Sequence, residues 1–203
     1  YAKAGETAGM KVTVITGDRD CLQLVSDKTR MAIPHKGYQQ AEYLDPAGVE
    51  EKYGVRPDQV ASYKGLCGDS SDNLPGVLGI GPKGAATLLQ EHDSLVGIYK
   101  HLEGIKPSWK EKLERDREQA FFCERMATLV DDIALPTSLD ETKLVDLPYR
   151  AVLDYCSELE FTALVKRFQA LAESPYGLMR FRTEDLQDIE PVMMKGEEQM
   201  SLL

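Results

Sequence analysis

The feature that most limits what this chain can fold into is a glycine-rich segment near its middle, residues 74–84, with the sequence LPGVLGIGPKG. Glycine has no side chain, so such a segment can turn tightly and bring its backbone close to another molecule. Pro82 suits the first position of an α-helix, because its ring fixes φ near the helical value. The segment therefore predicts a connection between two helices, and it is either an ordinary connection or a turn that holds a ligand.

The ligand that this turn favours is an anion, because the N–H groups at the start of a helix attract negative charge. Pro82 lacks an N–H group, but Gly81, Lys83 and Gly84 keep theirs, and Lys83 adds a positive charge. The pattern is typical of a helix-hairpin-helix turn that grips a DNA phosphate without reading the base sequence. It is not a P-loop, since no Ser or Thr follows the lysine, and no strand directly precedes it as in a dinucleotide fingerprint.

A first pair of carboxylates, Asp18 and Asp20, follows an apolar, β-branched run at residues 11–16 that predicts a strand. Ligands bind at the C-terminal ends of strands in open α/β sheets, and carboxylate oxygens suit Mg²⁺. The alternative is a simple turn or helix cap.

A second pair, Asp69 and Asp72, follows the helix predicted over residues 57–67, which ends at Gly68. Carboxylates are unfavourable at the negative end of a helix dipole unless a cation lies nearby. A metal ion would remove that conflict, and the alternative is an Asx turn into the loop.

The remaining pattern places strands early and helices late, which predicts an α/β portion followed by a helical portion. Strands at 31–34 and 40–44 with a turn at Lys36-Gly37 predict a hairpin. A capping box at Ser108 predicts one long helix to about Met126, followed by a strand at 127–130. Further helices are predicted from Pro46 to Tyr53, from Pro82, after Ser94, and over 149–172. We predict three regions: 1–53, the remainder of an α/β core; 54–173, a helical subdomain that returns to the core; and 174–203, a linker or mobile tail.

Composition narrows the class of protein. The four cysteines form no CxxC pair, which predicts free thiols in a reducing, cytoplasmic setting. No apolar run reaches 18 residues, so no membrane partner is expected. The net charge of −10 argues against nucleic acid as a partner, but residues 52–120 are balanced, which allows a local basic face. The net charge and the charged helix at 110–118 also permit a protein-interaction domain.

In this order, residues 16–25 (TGDRDCLQLV) and 52–90 closely resemble the 5′-nuclease domain of bacterial DNA polymerase I, a member of the flap endonuclease superfamily. The resemblance extends over residues 2–173. It implies the C-terminal part of a PIN-like α/β domain, in which helices flank a mostly parallel sheet. It also implies a mostly helical helix–three-turn–helix subdomain, a form of helix-hairpin-helix, that binds DNA.

The resemblance further implies a metal-dependent 5′-3′ exonuclease and flap endonuclease that hydrolyses DNA phosphodiester bonds in replication and repair. The partner would be duplex DNA with a 5′ end, nick or flap, and a polymerase domain would follow in the same chain. Two Mg²⁺ or Mn²⁺ ions would be held by Asp18, Asp20, Asp69 and Asp72. A potassium ion would bind the carbonyls of the Gly76–Gly81 turn. The DNA-binding residues would be Gly76, Gly79, Ile80, Gly81, Lys83 and Gly84.

The chain departs from the family pattern at its start. The family has further acidic ligands upstream, yet no residue before Asp18 matches them, and Glu6 reads as a lone glutamate on a helix surface. The basic residues of the family's arch are also missing. We therefore expect a fragment with little or no nuclease activity alone. The alternative function is a non-catalytic module that binds duplex DNA without sequence preference.

Overall fold

The computed structural model describes residues 1–36, 40–144 and 147–181. The chain divides into two compact units, Tyr1–Ala134 and Leu135–Leu203, which are described separately below. Within the described ranges, no helix combines the length and the apolar character needed to cross a membrane.

The first unit opens with a helix and a small mixed sheet of three strands in the order β1-β2-β3. β1 and β2 run parallel, with Val14 opposite Met31, whereas β2 and β3 run antiparallel, with Met31 opposite Leu44. The predicted pairing of a hairpin is confirmed, although Gly37 in its predicted turn lies outside the described residues. The elements are α1 (Ala2–Thr7), β1 (Val12–Ile15), a 3₁₀ helix (Arg19–Leu24), β2 (Thr29–Ile33) and β3 (Glu42–Leu44).

The rest of this unit is helical, and capping residues fix the ends of several of its helices. The Asp45 side chain accepts a hydrogen bond from Gly48 N–H at 2.8 Å, and Gly54 ends the same helix with φ at 72°. Ser94 caps a later helix in the same way. The helices are α2 (Pro46–Tyr53), α3 (Val60–Cys67), preceded by a 3₁₀ turn at Pro57–Gln59, α4 (Pro82–His92), α5 (Leu95–Lys100), α6 (Pro107–Arg115) and α7 (Arg117–Ala127).

Two apolar clusters form the core of the first unit. The smaller one lies at the sheet and includes Leu22, Met31 and Val49. The larger one lies among the helices and includes Leu66, Leu88, Leu89, Ile98 and Leu113, all fully buried. Tyr53, at the end of α2, packs against both clusters, so the sheet and the helices share one continuous apolar interior.

The single long helix predicted from Ser108 is two helices, and the prediction of a capping box is wrong. α6 begins one residue earlier, at Pro107, and its N-cap Lys106 makes no side-chain cap bond. The helix breaks at Asp116, where φ is −106° and ψ is 22°. There the Asp116 carboxylate accepts a hydrogen bond from Leu78 N–H at 2.8 Å, a contact 38 positions away in the sequence.

The strand predicted at residues 127–130 is also wrong. Ala127 is the last residue of α7, and Val130 is 70% exposed. The Gln23 side chain takes the place of a neighbouring strand: its Nε2 donates to Ala127 O at 2.7 Å, and its Oε1 accepts from Leu129 N–H at 3.3 Å. The backbone is thus satisfied by one amide side chain, without sheet pairing.

Glu6 is not the lone surface glutamate that the sequence suggested. Its carboxylate accepts hydrogen bonds from the hydroxyls of Ser26 and Thr29. Thr29 is the first residue of β2, so Glu6 ties α1 to the sheet.

The second unit contains α8 (Tyr149–Glu158), α9 (Thr162–Glu173) and α10 (Pro175–Arg180). The helices predicted over 149–172 are confirmed. The rings of Tyr149, Phe168 and Phe181 pack together, with centroids 5.1 to 5.6 Å apart. The start of the predicted linker or tail is therefore helical, because α10 delivers the buried Phe181 to this cluster; the remainder, 182–203, lies outside the described residues.

Candidate functional site

Asp18 and Asp20 lie directly after β1, as the sequence predicts. Asp18 is the N-cap of the 3₁₀ helix, and its Oδ1 accepts from Asp20 N–H at 3.0 Å. Its own N–H donates to the Thr16 hydroxyl at 3.0 Å. These bonds point the Asp18 side chain along its own loop, so the cap that the sequence left as an alternative is present.

The ammonium of Lys64, on α3, joins Asp20 of the first aspartate pair to the second pair, whereas in the described structure Asp18 forms no ion pair with it. Lys64 forms ion pairs with Asp20, with Asp69 at 2.6 Å, and more loosely with Asp72 at 3.9 Å. The Lys64 side chain is only 9% exposed, against 51% for Asp72. We call Asp18, Asp20, Asp69, Asp72 and Lys64 the acidic cluster.

Local backbone chemistry holds the second pair in place. Gly68 ends α3 with φ at 76°, and Asp69 and Leu74 exchange two backbone hydrogen bonds of 2.8 Å. The Asp69 carboxylate also accepts from Ser71 N–H at 2.9 Å, which is the Asx turn that the sequence left as an alternative. Gly76 closes the loop against α3, because a Cβ there would lie 2.3 Å from Gly68 N.

The ion pairs and hydrogen bonds of the acidic cluster shift the pKa values of Asp69 and Lys64. Burial alone would raise the pKa of Asp69, but the hydrogen bonds from Lys64 and Ser71 outweigh it and lower this pKa to about 2. Burial opposes the charge of Lys64, yet Asp20 and Asp69 raise its pKa above the ordinary value. At neutral pH Lys64 and Asp69 therefore form an ionised pair.

The donor set of the acidic cluster fits a hard divalent cation in its chemistry, because it consists of carboxylate oxygens that already converge on one positive charge. The four described carboxylates are not arranged as a complete set of metal ligands. Across residues 1–36, 40–144 and 147–181, no group of three or more His, Cys, Asp or Glu side chains is arranged to hold a metal ion. Lys64 takes part of the space between the carboxylates.

The glycine turn, residues 74–84, follows directly. Val77 and Ile80 are buried in the helical core. Leu78, which follows Val77, is 74% exposed. Val77 N–H donates to Leu66 O at 2.8 Å, which anchors the base of the turn on α3. Gly79, at the tip, has φ at +87°, a conformation that favours glycine.

Lys83 lies in the first turn of α4 and is exposed. Within the part of the chain that the structure describes, no carboxylate lies within 4.0 Å of its ammonium. Its charge therefore faces solvent beside the start of α4, where a phosphate would be attracted.

A cleft of about 790 Å³ joins the acidic cluster to the glycine turn. Its lining includes Lys64 and Asp69 at one end and Pro82, the first residue of α4, at the other. Arg19 and Tyr53 also line it. The sequence singled out neither of these nor Lys64, although a lysine on the otherwise apolar α3 was an available signal for Lys64.

Comparisons with known proteins identify relatives of this chain. Residues 55–149 match the family described as 5′-3′ exonuclease, C-terminal SAM fold. The chain is 37% identical to DNA polymerase I of Caldicellulosiruptor bescii over 91% of its own length, and 35% identical to that of Bacillus subtilis over 93%. It is 39% identical to the thermostable DNA polymerase I of Thermus thermophilus over 86%. The chain spans 22%, 22% and 20% of these three relatives, respectively.

Solved structures show the same fold. A T5 5′-exonuclease mutant matches with a TM-score of 0.53 and 24% identity, covering 62% of this chain and 52% of that one. A bacteriophage T5 D15 flap endonuclease, in a pseudo-enzyme–product complex with DNA and metal ions, matches with a TM-score of 0.53 and 22% identity over 62% of this chain and 47% of that one. The small sheet with a helical subdomain is thus a 5′-nuclease fold.

Proposed function

Because the chain contains part of a 5′-nuclease domain, we propose that it belongs to the 5′-3′ exonuclease or flap endonuclease portion of a DNA polymerase I. Its substrate is duplex DNA with a 5′ end, nick or flap, and a polymerase domain follows in the whole protein. The single observation that carries the proposal is the convergence of Asp20 and Asp69 on one cation, Lys64, in a cleft that reaches the start of α4. The proposal also includes a cytoplasmic location. It keeps residues 1–53 as the remainder of an α/β core and residues 54–173 as a helical DNA-binding subdomain that returns to the core.

In this function the acidic cluster holds divalent metal. Asp18, Asp20, Asp69 and Asp72 would hold Mg²⁺ or Mn²⁺, with two ions in the complete site, and the T5 neighbours bound to metal ions support this. Bound there, such ions supply an activated water and stabilise charge on the reacting phosphate. Lys64 pairs with both Asp20 and Asp69 and so holds these two carboxylates close together.

The glycine turn binds the duplex. Its DNA-binding residues are Gly76, Gly79, Ile80, Gly81, Lys83 and Gly84. The Lys83 charge and the backbone N–H groups at the start of α4 meet a phosphate, which positions the duplex without reading its sequence. A T5 neighbour solved in complex with DNA supports DNA as the ligand.

A potassium ion at the Gly76–Gly81 turn remains a prediction. The carbonyl oxygens of Leu78 and Gly79 already accept hydrogen bonds from Arg115 and Lys112. An ion at this turn would therefore use other carbonyls.

Thermal unfolding with and without Mg²⁺ tests the metal site. We expect Mg²⁺ to raise the Tm of the chain, and the rise to vanish in the double variant Asp69→Asn, Asp72→Asn. Asp58→Asn is the matched control, since that carboxylate pairs with Arg56 away from the cluster. A rise of equal size in the double variant would contradict the site.

Incubation with a flapped duplex and Mg²⁺ or Mn²⁺ tests the activity of the chain by itself. We expect little or no cleavage, because the acidic cluster supplies only part of a metal site. Robust cleavage that is lost on Asp69→Ala would show that this chain is sufficient for catalysis.

The alternative function, a non-catalytic module for duplex DNA, has one observation in its favour: Lys64 already pairs with Asp20 and Asp69, where a metal ion would otherwise bind. On that reading Mg²⁺ leaves the Tm unchanged, whereas salt-sensitive duplex binding persists. The metal titration and a binding assay on the same sample therefore separate the two functions.

A further inference from the structure

Side chains at the C-terminal end of α6 donate hydrogen bonds to the tip of the glycine turn, which consists of Leu78 and Gly79. Lys112 Nζ donates to Gly79 O at 2.9 Å, and the Arg115 guanidinium donates to Leu78 O at 3.0 Å. Both carbonyls belong to the two central residues of the turn Val77–Ile80, which Ile80 N–H closes by donating to Val77 O at 3.0 Å.

Asp116 completes the arrangement. Its Oδ2 accepts from Leu78 N–H at 2.8 Å, and its two oxygens accept from Arg115 at 2.8 and 2.6 Å. Both backbone groups of Leu78 are therefore bonded to side chains that are themselves bonded to each other. This bidentate pair is the strong form of such a contact.

Apart from the hydrogen bond that Ile80 N–H donates to Val77 O at 3.0 Å, the conformation of the tip depends on these contacts from α6. Leu78 is 74% exposed, and Gly79 has φ at +87°, where glycine has many alternatives. Helix α6 ends at Arg115, next to these contacts, so the break in the helix and the support of the tip coincide.

Resting on the proposed function, we infer that Lys112, Arg115 and Asp116 are positioning residues for duplex binding. They hold the tip so that the N–H groups of the turn and Lys83 meet one phosphate together, and they do not contact the DNA themselves. Arg115 and Asp116 form an ion pair with each other, and the Lys112 ammonium donates to the carbonyl of Gly79.

The test is the affinity of the full chain for a short fluorescent DNA duplex, measured by anisotropy over a series of salt concentrations. We expect Lys112→Met and Asp116→Ala each to weaken binding about tenfold with the salt slope unchanged. Asp116→Ala is the sharper variant, because removal of a negative charge near DNA would by itself tighten binding. Lys112→Arg, which keeps a donor, should restore the affinity.

Controls separate this inference from the proposed function. Lys110→Met and Glu111→Ala change α6 charges that lie away from the turn contacts, since Lys110 pairs with Glu103, and both variants should bind as the unaltered chain does. Lys83→Ala should weaken binding and reduce the salt slope by about one. Binding is measured well below the Tm of every variant, so a loss of stability alone leaves the affinity unchanged.

The result for Lys83→Ala tests the proposed function of the turn, and the results for Asp116→Ala and Lys112→Met test the inference. If Lys83→Ala changes neither affinity nor slope, the proposed function of the turn fails. If Lys83→Ala behaves as expected but Asp116→Ala binds as tightly as the unaltered chain or more tightly, the inference is overturned. A slope reduced by about one in Lys112→Met would also overturn it, since Lys112 would then contact a phosphate directly.

Discussion

The acidic cluster and the glycine turn use lysine in opposite ways. In the cluster, Lys64 is 9% exposed and surrounded by carboxylates of the same chain. At the turn, Lys83 is exposed, and its charge faces solvent. One region therefore satisfies its charges internally, whereas the other presents charge outward.

The difference follows from what each region would bind. Several carboxylates held together repel one another, so they need a cation whether or not metal is present, and Lys64 supplies one. A phosphate-binding turn needs no internal partner, because the DNA brings the opposite charge. What the turn needs is a fixed backbone, and α6 provides it through Leu78 and Gly79.

The largest effect is expected from Gly76→Ala, which should break both regions at once. A Cβ at Gly76 would lie 2.3 Å from Gly68 N, on the loop that joins the cluster to the turn, and its φ is +62°. Unfolding free energy should fall by more than about 3 kcal/mol. Gly81→Ala is the control, since no atom lies within 4 Å of its added Cβ; urea unfolding of both variants gives the comparison, and equal stability would contradict it.

The second effect isolates the acidic cluster. Lys64→Met leaves Asp20 and Asp69 without their shared cation, and we expect a loss of about 2 kcal/mol in unfolding free energy. Mg²⁺ should then raise the Tm of this variant more than that of the unaltered chain. Lys83→Met, which removes the same charge at the turn, should change stability by less than about 0.5 kcal/mol. Similar losses in the two variants would remove the distinction between the regions.

The third effect concerns only the turn. Leu78→Lys places a further charge at the exposed tip, so duplex binding should tighten about threefold, and the salt slope should steepen by about 0.9. Val96→Lys adds the same charge at another exposed position, on α5, and serves as the control. If both variants tighten binding equally, net charge alone explains the affinity.

The smallest effect is a pH dependence of the support behind the turn. Hydrogen bonds from Arg115 lower the pKa of Asp116 from its ordinary value of 3.8, with burial opposing and Leu78 N–H contributing. A carboxyl with a lowered folded pKa stabilises the fold above its unfolded pKa, and this is lost as pH falls through the lowered value. The stability advantage over Asp116→Asn, about 0.5 kcal/mol at neutral pH, should therefore shrink below about pH 4; urea unfolding at pH 7, 5 and 3 measures it, and a constant difference would contradict it.

Much of the fold was predictable because it depends on local chemistry. Asp45 before Pro46 and the left-handed Gly54 specify the ends of α2 within a few residues of sequence. The positions of the glycine turn and of both aspartate pairs followed from short patterns of the same kind, and the resemblance of those patterns indicated the nuclease family.

The predictions that failed lie where a side chain distant in the sequence determines the backbone conformation. Gln23 satisfies the backbone after α7 across a separation of 104 positions, where the sequence predicted a strand. Asp116 contacts Leu78 across 38 positions and marks the break in a helix that was predicted as continuous from Ser108.

By itself, the sequence determined the ends of α2, the order of the motifs, and the positions of the two aspartate pairs and of the glycine turn. Only the tertiary structure decided that Lys64 lies among the carboxylates, 44 positions from Asp20, and that α6 supports the tip of the turn. The physical reason is that capping and φ preferences act within one turn of chain, whereas the partner of a buried charge is chosen by the packing of the whole unit.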